Sequence, residues 1–81
     1  MRIIDYGMYY QADTGFYFAY KFCHYKKGLV LKASRVREHV ALRVDGSRNW
    51  HKHEICLMAG CGVEIPVSNE IEAYAMLELL D

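Results

Sequence analysis

The chain has 81 residues, 53% of them apolar and 25% charged, and its ten Lys and Arg balance its ten Asp and Glu. That length suits one domain, 1–81, with a modest core, and the composition excludes a wholly disordered or low-complexity chain. No window approaches the ~18 apolar residues of a membrane-spanning helix, so no membrane partner is expected. The start Met1-Arg2-Ile3-Ile4-Asp5-Tyr6 lacks the long apolar stretch of a secretory signal. Three cysteines, an odd number, suit a reducing compartment better than a disulfide framework. The expectation is a cytoplasmic protein.

In chain order, residues 2–10 read as a strand, with Ile4, Tyr6, Met8 and Tyr10 alternating against Ile3, Asp5, Gly7 and Tyr9. Gln11-Ala12-Asp13-Thr14-Gly15 is a connector of hairpin length. Residues 16–25 are the strongest strand. Phe16, Phe18, Tyr20 and Phe22 fall on one face, with Tyr17, Ala19, Lys21, Cys23 and Tyr25 on the other. Lys26-Lys27-Gly28 makes a tight turn, and residues 29–33 continue the meander.

Two later segments are open to either period. In 34–44, Val40, Leu42 and Val44 alternate as in a half-buried strand, whereas Ser34 as a cap and the Val36/Val40 spacing allow a short helix. Three valines favour the strand, and Asp45-Gly46 would close a hairpin. In 49–58, Ile55-Cys56-Leu57-Met58 reads as a buried strand, while Asn49 and Gly60 would suit the ends of a helix. The strand reading is adopted for both. Gly60-Cys61-Gly62 is a turn, and Val63–Val67 is a short strand whose Pro66 points to a sheet edge or strand end. Ser68 or Asn69 caps a final helix, with Glu70 and Glu72 in its first turn, where the helix dipole favours acids. The expected fold is α+β: a mostly antiparallel meander sheet of five or six strands, with one C-terminal α-helix packed on one face. The other face would carry Tyr, Lys, Arg and His.

The neutral total hides a segregated charge. Residues 21–52 hold nine of the ten Lys and Arg, whereas 53–81 hold six acids and no Lys or Arg. The basic run comprises Lys26, Lys27, Lys32, Arg35, Arg37, Arg43, Arg48 and Lys52, with Tyr25 and Trp50 interspersed. In a strand, Arg37, His39, Ala41 and Arg43 would share a face. Arginine beside aromatic side chains suits an acidic protein surface, and equally suits phosphates and stacked bases. The plainer account is a solvated face that keeps sheet edges from pairing. Tyr9, Tyr10, Tyr17 and Tyr25 suit cross-strand packing and a contact surface alike.

Catalytic and metal chemistry are poorly supported. His51, His53, Cys56 and Cys61 are the donor types of a zinc site, but strand alternation would send Cys56 away from the two histidines, and no common zinc spacing is present. Cys61 between glycines could be a reactive thiol only if His39 or His53 reached it. There is no P-loop, G-x-G-x-x-G or G-x-S-x-G. No cofactor is expected.

The leading expectation is a non-catalytic protein-binding module, a small inhibitor or adaptor of the sort that viruses and mobile elements encode. It would dock on a larger host or defence complex, a protein or ribonucleoprotein with an acidic surface, through Tyr25, Lys26, Lys27, Lys32, Arg35, Arg37, Arg43, Arg48, Trp50 and Lys52. The alternative is a nucleic-acid-binding domain using the same face; a zinc-binding or cysteine-dependent enzyme ranks below both. Opposite charges on one chain also allow a homodimer.

Overall fold

The structure, a computed structural model, describes residues 1–42 and 51–80, with the backbone alone at Leu42. Three long strands run as a meander: β1 (Arg2–Gln11), β2 (Phe16–Tyr25) and β3 (Gly28–Val36). Two helices follow, α1 (Glu38–Leu42) and α2 (Lys52–Ala59), then β4 (Val63–Val67) and α3 (Glu70–Glu78). The strands form one antiparallel sheet in the order β1-β2-β3-β4.

The α+β class and the antiparallel sheet agree with the sequence reading; the element count does not. Among the described residues there are four strands and three helices, rather than five or six strands and one helix. Residues 34–36 extend β3, and the chain turns helical at Glu38, with the amides of Val40 and Ala41 donating to the Arg37 carbonyl at 3.0 and 2.9 Å. Where a strand was expected over 49–58, Lys52–Ala59 form α2, and residues 49 and 50 lie outside the described residues. Glu54, Leu57, Met58 and Ala59 are good helix formers, and Ile55 and Ala59, four residues apart, are both buried. Gly60 closes the helix, its amide donating to the Cys56 carbonyl at 3.1 Å. Val44 and the Asp45-Gly46 turn lie outside the described residues.

Both faces of the sheet are covered, where one was expected to be open. One face packs Phe22, Leu31, Ala33 and Val67 against Ala73 and Leu77 of α3. The opposite face packs Ala19 and Val36 against Ala41 of α1 and Ile55 and Ala59 of α2. Helices therefore cover both faces, and the face expected to be open is largely closed. The cause lies in β2, where Ala19 and Cys23, both fully buried, leave room for a helix to approach. Fully burying side chains such as Phe22 and Leu31 stabilises the fold by about 1.5–3 kcal/mol each.

Two glycines are dictated by geometry. Gly15 ends the β1–β2 turn at φ 77°, a left-handed conformation. Gly62 passes so close to β3 that a Cβ there would lie 2.0 Å from the Ala33 carbonyl oxygen and 2.7 Å from Ser34 Cα.

α3 starts as its cap predicts. Asn69 Oδ1 accepts from the Glu72 amide at 2.9 Å, while the Glu72 carboxylate accepts from the amide of Ser68, one residue earlier than a standard capping box, at 3.3 Å.

Candidate functional site

The sheet divides the basic run. Lys26 and Lys27 occupy the β2–β3 turn, while Arg35 and Arg37 lie at the far end of β3. The nine residues of β3 separate the two groups by roughly 27 Å at strand rise. The ten residues expected to form one surface are thus not all brought together.

At the turn end, Tyr25, Lys26, Lys27, Val30 and Glu64 line a shallow depression of about 380 Å³. Lys32 belongs to this region, but its charge is already engaged. Strand pairing sets it opposite Glu64, and its Nζ lies 2.8 Å from the Glu64 carboxylate and 5.2 Å from the Tyr25 ring centroid. The Glu64 contact, followed by the Tyr25 hydroxyl, raises the Lys32 ammonium above the ordinary lysine value. Lys52, on α2, stands 5.5 Å from the Tyr6 ring centroid over β1. Arg43, Arg48 and Trp50 lie outside the described residues.

At the other end, Gly15, Phe16, Tyr17, Arg35, Val36, Arg37, Glu38 and His39 line a cleft of about 600 Å³. The pairing register builds it: Tyr17 faces Val36 and Phe18 faces Arg35, so the start of β2 meets the end of β3. The Arg35 guanidinium carbon lies 3.8 Å from the Phe16 ring centroid. This stacking holds the guanidinium plane and leaves its N–H groups available to a ligand. Arg37 and His39 follow where the chain leaves the sheet for α1, and among the described residues no carboxylate pairs with Arg35 or Arg37. Such a cleft can bind carboxylates or phosphates, with Phe16 and Tyr17 offering apolar contact.

Sequence reasoning named Arg35 and Arg37 but not Phe16 as their neighbour. The hairpin register could have supplied it, since a turn at Lys26-Lys27 sets Phe16 against the residues just after Val36. The tyrosines split. Tyr9 and Tyr17 pack against the two core clusters, while Tyr10 is exposed, its ring centroid 4.8 Å from that of Tyr17.

The His/Cys group does not converge. His51 precedes α2, His53 and Cys56 lie on it, and Cys61 follows in the turn. Among the described residues no three His, Cys, Asp or Glu side chains gather as metal ligands would. Exposed Cys61 donates its thiol to the Leu57 carbonyl at 3.4 Å. No described helix is long and apolar enough to cross a membrane.

Compared with known proteins, the chain matches no family model, no curated protein and no solved structure.

Proposed function

We propose that this chain is a non-catalytic protein-binding module, an inhibitor or adaptor that docks on a larger protein or ribonucleoprotein bearing an acidic surface. The observation that carries the reading is the Phe16–Arg35 stack at 3.8 Å, set in an open cleft beside Arg37 and His39. An arginine held in place by an aromatic ring loses less entropy on meeting a carboxylate than a free one does, so its binding is specific as well as electrostatic. A virus or mobile element would have use for so small a docking unit.

The cleft's chemistry also suits nucleic acid, through arginine–phosphate contacts and base stacking on Phe16. The chain's zero net charge gives a phosphate backbone little long-range attraction and places that reading second.

The test is capture of partners from the native host by the tagged chain, followed by mass spectrometry. The Arg35→Glu/Arg37→Glu variant should lose the captured protein while keeping its thermal unfolding. Lys26→Glu/Lys27→Glu, at the opposite end of the sheet, should retain it. Capture unchanged by reversal at Arg35 and Arg37 would sink the proposal. A single-stranded oligonucleotide bound in its place, with affinity falling steeply as salt rises, would favour the second reading.

A further inference from the structure

The hairpin end of the sheet presents both halves of a contact on one surface. By strand alternation, Phe16 and Arg35 lie on the face that α3 covers, since Phe22, Leu31 and Ala33 share their parity. Gln11 pairs with Phe16 across the hairpin, and its Nε2 donates to the Glu78 carbonyl at 2.5 Å. The last turn of α3 is therefore anchored beside the Phe16–Arg35 cleft.

Two features there have no counterpart among the described residues. The first is the end of α3. Its last turn contains no basic residue and carries Glu78, where the negative end of the helix dipole disfavours an acid. Leu79, the C-cap, is 72% exposed. The second is the cleft, where Arg35 and Arg37 lack a carboxylate among the described residues and Phe16 is 37% exposed. Each half lacks what the other supplies. Glu78 and Arg35 form no ion pair within the chain: Gln11 holds the helix end at β1, and two strand spacings, roughly 10 Å, separate β1 from the strand of Arg35, β3.

We propose that two copies of this chain associate about a two-fold axis through this face. The α3 terminus of each copy sits in the cleft of the other, with Glu78 against the second copy's Arg35 and Leu79 against its Phe16. An arginine brought to the C-terminal end of α3 offsets both the Glu78 charge and the helix dipole. The contact is isologous and closes as a dimer. It rests on the reading of the cleft as an acid-binding site, and the second copy and an outside partner compete for it.

Sedimentation of the pure chain over a range of concentrations and salt tests this separately from partner capture. The expected result is a monomer–dimer equilibrium that weakens as salt rises. Arg35→Glu and Glu78→Arg should each weaken it by roughly tenfold or more, and the double exchange should restore it. Glu78→Arg should meanwhile make the monomer more stable to heat, because the new charge suits the helix end; this shows that loss of the dimer is not loss of the fold. A monomer under every condition overturns the proposal. So does a dimer indifferent to salt and to both single reversals, or a charge exchange that fails to restore association. If the chain stays monomeric but still captures an acidic partner through Arg35 and Arg37, the cleft reading stands and only the dimer fails.

Discussion

The Tyr74 hydroxyl on α3 donates to the Asp5 carboxylate on β1, joining residues 69 positions apart. The same Asp5 oxygen accepts from the Tyr20 hydroxyl on β2 at 3.3 Å, and the other accepts from the Tyr6 amide at 2.9 Å. Asp5 follows the register shift between Ile3 and Asp5, so a bulge in the edge strand sets the acceptor that holds the last helix.

Removing this acceptor should therefore loosen α3. Asp5→Ala is expected to cost about 2 kcal/mol and Tyr74→Phe about 1 kcal/mol, the ordinary range for bonds to a charged group with one partly exposed partner. Urea unfolding of each variant checks the values, and a Tyr74→Phe variant as stable as the parent would contradict the role.

The same contact gives an alkaline limb. The hydrogen bond to Asp5, then burial, raises the Tyr74 phenol above the ordinary 10.0; for Tyr20 burial comes first, followed by the Asp5 charge and hydrogen bond. A phenol whose folded pKa is raised favours the folded state in its neutral form. That stability is complete below pH 10 and declines as pH rises through the folded values. Thermal unfolding should fall above about pH 10, and Tyr20→Phe/Tyr74→Phe should make the decline shallower.

Gln11 is the buried polar side chain among the described residues, and both of its polar atoms are hydrogen-bonded. Its amide nitrogen donates to the Glu78 carbonyl, and its oxygen accepts from Thr14 Oγ1 at 2.6 Å. Gln11→Ala should cost about 1–2 kcal/mol, because a helix-end carbonyl and a turn hydroxyl each lose a partner. Hydrogen exchange should quicken first in the last turn of α3; uniform acceleration would instead indicate a global effect.

Gly62→Ala should be among the most damaging single changes. The added Cβ meets the backbone of Ala33 and Ser34, which cannot move without breaking the β3–β4 pairing. A loss of about 3 kcal/mol is expected. Gly7→Ala is milder, since its Cβ meets only the Tyr20 ring, with the nearest atom at 3.0 Å. Equal melting temperatures for the two variants would refute the ranking.

The thiols should separate by burial. Cys61 is exposed, whereas Cys23 is buried, and that burial pushes its pKa up. Because the thiolate is the reactive form, an alkylating reagent should modify Cys61 first. Cys23 should react only at the rate of unfolding. Mass spectrometry of a time course reads the order directly.

The sequence by itself determined what local chemistry determines. Alternation of large and small side chains defined β2 from Phe16 to Tyr25, and the Val63–Val67 strand and the Asn69 cap are where residue type placed them. Segments 38–42 and 52–59 were not decidable this way. Five residues span little more than one helical turn, and Val40 in one segment and the Ile-Cys-Leu-Met run in the other suit a strand equally well. Tertiary packing decided them: a sheet face lined by Ala19 and Cys23 requires cover, and helices supply it. Packing also divided the charge. The basic run spans one stretch of sequence, but β3 sets Lys26 and Lys27 at one end of the sheet and Arg35 and Arg37 at the other, and Glu64 takes up Lys32. The cleft at Phe16, Arg35 and Arg37 is a product of strand register, which pairs residues far apart in the chain and has no local signature.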